Sequence, residues 1–101
     1  MEDKIVFLTG ASSGIGEALA LAMAKRGATL GLLARREELL KELVDKCERN
    51  GGNARYFAVD VTDAESVAEA ANFLRDEFGK IDVLIANAGI GGNNSETRNL
   101  N

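Results

Sequence analysis

Two short stretches hold residue types with a chemical purpose. The first is Thr9-Gly10-Ala11-Ser12-Ser13-Gly14-Ile15-Gly16, set between an apolar run and a helical pattern. Glycines permit a tight turn and let backbone come close to a ligand. A helix starting there aims free N–H groups and the positive end of its dipole at the same space. That combination suits an anion, and in a strand–loop–helix context the pyrophosphate of a dinucleotide. The same glycines would also serve a bare strand–helix turn, for steric reasons alone. The second stretch is Leu32-Leu33-Ala34-Arg35-Arg36. In dinucleotide-binding folds an acid about 20 residues past the glycines takes the ribose hydroxyls of NAD. No acid stands at that strand end, but two arginines do. A guanidinium suits a 2′-phosphate through charge-assisted, bidentate contacts. Arg35 is the foremost candidate, with Arg36 and the Ser12 hydroxyl as helpers, which points to NADP(H) ahead of NAD. The competing reading is a solvated basic pair answering Glu37 or Glu38.

The elements that must position these residues follow from hydrophobic pattern. Lys4 to Thr9 is a short apolar run bounded by charge and glycine, hence a buried strand. Ile15 to Lys25 has helical spacing, with Ile15, Ala18, Leu19, Ala22 and Met23 expected on the buried face; Arg26-Gly27 closes it. Ala28 to Leu33 predicts a second strand. Glu37 to Arg49 is amphipathic, with Leu39, Leu40, Leu43, Val44 and Cys47 in one stripe, acids at its start and Arg49 at its end. Asn50-Gly51-Gly52 stops it. Arg55 to Val59 predicts a third strand. Thr62 and Glu65 fit a capping box for a third helix, which turns Val67, Ala70, Ala71, Leu74 and Phe78 inward and ends at Gly79. Ile81 to Ala86 predicts a fourth strand. Strand–helix repeats with connections this long require parallel strands and right-handed crossovers. The expected fold is α/β, a partial doubly wound (Rossmann) parallel sheet of four strands in order 3-2-1-4. Residues 91–101 hold four asparagines and two glycines, and are expected to be loop or tail.

Bulk composition narrows the function. A length of 101 residues implies one domain. Sixteen acids against twelve basic residues give a net charge of −4, which argues against general binding to nucleic acid or an anionic membrane. One cysteine, Cys47, forbids an internal disulfide and fits a reducing cytoplasm. No histidine occurs, so a transition-metal site is not expected. No signal peptide and no membrane-spanning apolar stretch is evident.

The glycine spacing, Thr9-Gly10, three residues, Gly14-x-Gly16, resembles the fingerprint of the short-chain dehydrogenase/reductase family. Asp60-Val61 at the end of the third strand, and Asn87-Ala88-Gly89 after the fourth, resemble two further motifs of that family, in order and at its intervals. The resemblance covers residues 4 to 90, the family's N-terminal, cofactor-binding half. It implies that Gly10, Ser12, Ser13, Gly14, Ile15 and Gly16 meet the ribose and phosphates of the cofactor. It implies that Asp60 takes the adenine amino group, that Val61 touches the ring, and that Asn87, Ala88 and Gly89 line the adenosine ribose. Ser13 stands where some NADP-binding relatives carry a second basic residue, a departure from the strongest NADP pattern. For Asp60 the alternative is a role in capping the next helix; for Asn87-Ala88-Gly89 it is an ordinary turn.

The family's chemistry uses a tyrosine as general acid/base, a lysine four residues later to lower its pKa, a serine and an asparagine. Here the one tyrosine, Tyr56, is followed four residues on by Asp60, and Ser95 and Lys80 are misplaced to substitute. No catalytic residue is assigned, and Tyr56 is read as structural. The division expected is a dinucleotide-binding half-domain at 1–90 and a tail at 91–101. Without the later strands, the fourth would present an apolar edge prone to self-association. The expected function is the NADP(H)-binding portion of an alcohol/carbonyl oxidoreductase. A stand-alone, non-catalytic nucleotide-binding or interaction module is the alternative. An epimerase or methyltransferase is disfavoured by the three-residue gap between Gly10 and Gly14.

Overall fold

The computed structural model describes residues 2–87. The order of elements is β1 (Ile5–Thr9), α1 (Gly14–Lys25), β2 (Thr29–Ala34), α2 (Glu37–Arg49), β3 (Asn53–Ala58), α3 (Ala64–Phe78) and β4 (Val83–Ala86). All pairings are parallel and the sheet order is β3-β2-β1-β4. The fold is therefore α/β with the expected 3-2-1-4 order.

The central strands alternate between two cores, as a period of two requires. Val6, Leu8, Leu30 and Leu32 point to the face covered by α1 and α2, where they meet Ala20, Met23, Leu40, Leu43 and Cys47. Ile5, Phe7 and Leu33 point the other way, to Ala70 and Leu74 of α3. Gly31 faces the same way: a Cβ there would lie 2.7 Å from Leu74 Cδ2, so the missing side chain is what lets Leu74 reach the sheet. Fully burying a leucine is worth roughly 1.5–3 kcal/mol. The α3 face is the thinner one; Leu84 on β4 is 66% exposed and Phe73 on α3 55%. Arg55 of β3 grips Glu77 of α3 in a forked contact, with Nη2 2.8 Å from Oε2, and its guanidinium lies 5.3 Å from the centre of the Phe78 ring.

Three sequence expectations are corrected. In α1 the buried residues are Gly16, Ala20, Met23 and Ala24, with Leu19 packed against the same core; of the expected stripe Leu19 and Met23 hold, while Ala18, Ala22 and Ile15, the last 71% exposed, do not. Apolar residues surround this helix, so periodicity alone selects no face, and packing against the sheet and α2 sets which side is buried. In α2, likewise, Leu39 is exposed while Leu40, Leu43 and Cys47 are buried. The cap of α3 is Asp63 rather than Thr62: Asp63 Oδ1 accepts from the backbone N–H of Glu65 and Ser66. Thr62 belongs to the preceding turn instead, where its N–H and its hydroxyl both donate to Asp60 Oδ1, at 2.9 and 2.7 Å. Strand ends also move. β3 starts at Asn53, ahead of Arg55, since Asn53 N–H already donates to Ala28 O. β4 starts at Val83, not Ile81, where the Asp82 carboxylate takes the place of a ladder bond by accepting from Ile5 N–H at 2.8 Å. That bond, first, holds the Asp82 carboxyl below the usual carboxylate range, with Lys80 and Lys4 adding to it. The expected tail at 91–101 lies outside the described residues.

Candidate functional site

Parallel register brings the sequence candidates to one edge. Thr9 pairs with Leu33 and with Ala86, and Ala34 pairs with Ala58. The segments after all four strands thus emerge at the carboxyl end of the sheet. Sheet order reverses direction at β1, between the return to β2 and the jump to β4. Such a switch point is where open α/β sheets hold ligands. Gly10 and Asn87 stand on its two sides.

The β1–α1 loop is a closed hydrogen-bonded unit. Gly10 has φ +69°, and a Cβ there would lie 2.0 Å from Asn87 O, so both conformation and space demand glycine. Ala11 N–H donates to Leu33 O at 3.1 Å, tying the loop to β2. Ser13 is the N-cap of α1, and its hydroxyl accepts from Gly16 N–H at 3.1 Å and donates to Gly10 O at 3.0 Å. Asn87 Nδ2 donates to the same hydroxyl at 2.9 Å and to Gly10 O at 3.4 Å. One hydroxyl donor and two acceptor sites are thereby spent. Gly16 packs its α-carbon against the loop; a Cβ would come 2.3 Å from Gly10 O.

Gly14 differs from its two neighbours in the motif. Its φ is not in the left-handed region, and a Cβ built on it meets nothing within 4 Å. Neither backbone strain nor internal packing calls for glycine there. The orphan N–H groups of the helix start converge on the same place. Those of Ser13 and Gly16 are taken by Gly10 O and Ser13 Oγ. Those of Gly14 and Ile15 have no acceptor among the described residues, and both residues are exposed. An exposed pair of donors beside open space at a helix N-terminus fits a phosphate group.

The β2–α2 loop is open and charged. Arg35 and Arg36 are exposed, and neither forms an ion pair among the described residues. The expected alternative, pairing with Glu37 or Glu38, is not what the side chains do. Glu37 Oε2 instead accepts from Tyr56 Oη at 2.9 Å and lies 3.9 Å from Lys41 Nζ. That hydrogen bond, foremost, raises the Tyr56 phenol above its ordinary pKa. Arg36 is the N-cap of α2 and gives no side-chain cap, leaving the first turn of α2 without one.

Beyond β3, Asp60 folds back on its own turn. Its Oδ1 accepts from Thr62 N–H at 2.9 Å and from the Thr62 hydroxyl. The Thr62 bonds, and to a lesser degree the charge of Arg35, hold its carboxyl below the usual range. Asp60 Oδ2 takes no hydrogen bond from a described residue. Val61 is 47% exposed. It lies at the rim of an apolar recess of about 430 Å³, shared by Phe7, Val67, Ala71 and Leu84. Asn87 closes the described part of the site; Ala88 and Gly89 lie outside the described residues. Cys47 stands apart: it is buried under α1, its thiol faces Ala20 O at 3.9 Å, and burial foremost, with Glu48 and Glu17, pushes its pKa up to about 11.

Sequence reasoning missed the apolar recess and the Tyr56–Glu37 bond. Strand alternation on β3 was the signal for the latter: Tyr56 packs against the core on the α1/α2 side, the side on which Glu37 begins its helix.

Comparison with known proteins agrees with this arrangement. The model of the short chain dehydrogenase family matches residues 4–101. An uncharacterized oxidoreductase of Listeria monocytogenes is 41% identical over 90 residues, covering 89% of this chain and 36% of that protein. The crystal structure of NAD+-bound xylitol dehydrogenase superimposes with a TM-score of 0.84 at 36% identity, over 90% of this chain and 35% of the other. A metagenomic short-chain oxidoreductase in complex with NADP gives 0.83 at 34% identity, over 90% and 41%. This chain thus spans a little over a third of the length of the relatives it matches. No helix among the described residues is long and apolar enough to cross a membrane. Matched in sequence along nearly its whole length and in structure across the glycine loop and sheet, the chain belongs to the short-chain dehydrogenase family.

Proposed function

We propose that this chain is the dinucleotide-binding portion of an oxidoreductase that uses NADP(H), acting on an alcohol/carbonyl pair in the complete protein. The observation that carries this reading is Gly14: nothing among the described residues requires glycine there, and two N–H donors without a described acceptor flank the open space. The pyrophosphate would lie against Gly14 and Ile15. Ser13 and Gly16 would shape the loop, and the Ser12 hydroxyl, which has no partner among the described residues, would face the adenosine side. Asp60 Oδ2 would accept from the adenine amino group, Val61 would pack on the ring, and Asn87, Ala88 and Gly89 would border the ribose.

The preference for NADP(H) rests on Arg35 and Arg36. Two exposed guanidiniums that form no close ion pair among the described residues, at a strand end that lacks an acid, would take a dianionic 2′-phosphate. NAD is the less favoured cofactor. Hydride transfer would be a property of the complete protein, since no catalytic residue is assigned in this chain. Residues 1–90 would form the binding half-domain and 91–101 a tail, in a cytoplasmic protein that engages neither nucleic acid nor membrane. Exposed Leu84 on β4 supports self-association through that edge; a concentration-independent monomer mass by light scattering would overturn that part.

The test is calorimetric titration of the chain with NADP+ and NAD+. Saturable one-to-one binding, tighter for NADP+, is expected. Binding of neither, by a chain that unfolds cooperatively, would reduce the glycine loop to architecture. It would then favour the alternative of an interaction module, whose support is the two-sided core the chain builds by itself.

A further inference from the structure

The geometry points to Tyr56 as a specificity-determining residue of this site: its phenol engages the Glu37 carboxylate and so leaves Arg35 and Arg36 unpaired for a 2′-phosphate. This rests on the NADP(H) reading above. Glu37 directly follows the two arginines and opens α2. A flexible carboxylate so near in sequence to two exposed guanidiniums would ordinarily compete for them and repel a phosphate. Instead its Oε2 accepts from Tyr56 Oη at 2.9 Å and faces Lys41 Nζ at 3.9 Å. The two restraints act on the same oxygen and come from different elements. Lys41 sits one turn along α2, a pair worth little on an exposed surface. Tyr56 is the stiffer restraint, because its ring is half-buried against the α1/α2 core and β3 fixes its position. The two guanidiniums meanwhile form no ion pair among the described residues. A tyrosine that has no place in the chemistry of this chain thereby acquires a role in choosing the cofactor, by occupying a competitor.

The test is titration of the chain and its Tyr56→Phe, Glu37→Gln and Tyr56→Phe/Glu37→Gln variants with NADP+ and NAD+. Phenylalanine keeps the ring in the core and removes only the donor. Tyr56→Phe is expected to raise the NADP+ Kd roughly three- to fivefold, the scale of an exposed ion pair gained elsewhere, and to change the NAD+ Kd less than about twofold. Glu37→Gln should not weaken NADP+ binding, and in its background Tyr56→Phe should have no further effect. Glu37→Asp, too short to reach the phenol yet still charged, should reproduce the selective loss without touching the ring, and stands in if Tyr56→Phe does not fold. Equal weakening of both cofactors, no weakening, or a Tyr56→Phe effect that survives removal of the carboxylate would each overturn the inference. If the unmodified chain shows no preference for NADP+, the cofactor reading falls and this inference with it. A preference indifferent to Tyr56 and Glu37 would sink only the inference.

Discussion

Two loops meet at the carboxyl edge of the sheet and are built on opposite plans. The β1–α1 loop is satisfied: Ser13 bonds with three partners, Asn87 locks it from β4, and Gly10 and Gly16 leave no room for a methyl group. The β2–α2 loop is open: two exposed arginines that form no ion pair among the described residues precede a helix that lacks a side-chain cap. The first loop uses its hydrogen bonds to hold a shape, and what it leaves open among the described residues is the space at Gly14 with the N–H groups beside it and the Ser12 hydroxyl. The second offers charge held in place by little except its neighbours. Shape of the first kind suits what all dinucleotides share, the pyrophosphate. Charge of the second kind suits what distinguishes them, the 2′-phosphate.

The comparison breaks most visibly at Gly10. Gly10→Ala places a Cβ in the left-handed region and 2.0 Å from Asn87 O, and should cost about 3 kcal/mol or more. Chemical denaturation should show a collapse of the cooperative transition; a loss below about 1 kcal/mol would mean the loop is not locked. Arg35→Ala should leave stability within about 0.5 kcal/mol while raising the NADP+ Kd roughly 10- to 100-fold, the scale of hydrogen bonds to a charged group. NAD+ affinity should hardly move, and equal losses for both cofactors would remove the division of labour between the loops. Gly14→Ala reverses the pattern of Gly10→Ala. Stability should hold or rise by up to about 1 kcal/mol, since alanine favours helix and nothing blocks its Cβ, while affinity for both cofactors should fall about tenfold. Ser13→Ala removes a cap and should cost about 1 kcal/mol in unfolding experiments, with NADP+ and NAD+ weakened alike.

The smallest effect is set well away from the edge. Because its pKa is pushed up to about 11, the buried Cys47 thiol should stay protonated and unreactive toward alkylating reagents at pH 8 in the folded chain. The sign of the linkage follows: the unfolded thiol ionises first, so this group's contribution is complete below its ordinary pKa and is lost as pH rises toward 11. Rapid labelling of native protein at pH 8 would contradict the burial.

The legible parts of the fold were those written in one-dimensional patterns. Short apolar runs separated by helical periods gave four strands, three helices and the parallel order, because long crossovers permit few alternatives. Helix α2, with its acids first and Leu40, Leu43 and Cys47 in register, was readable to its ends. Helix α1 was not readable in orientation: Ile15, Ala18 and Ala22 are as apolar as Ala20 and Ala24, and only packing chose between them. Thr62 and Asp63 are both good caps by type, and only the fold shows that it is the Asp63 carboxylate that accepts from Glu65 and Ser66 N–H. At the site, residue types pointed to the glycine loop and the arginines. Partners from distant segments did not: Asn87 to Ser13 spans 74 residues and Tyr56 to Glu37 spans 19. Such bonds exist only once the sheet has set its register.

The most direct measurement is thermal unfolding of this chain alone, with NADP+ and with NAD+ at equal concentration. At about 100 times Kd a ligand adds about 2.7 kcal/mol of stability, a rise in Tm of roughly 10–20 °C for a domain of this size. The expected result is one cooperative transition, raised by both cofactors and further by NADP+. A cooperative transition that neither cofactor moves would contradict the assignment of Gly14 and Ile15 to a pyrophosphate. An equal rise with both would contradict the assignment of Arg35 to the 2′-phosphate.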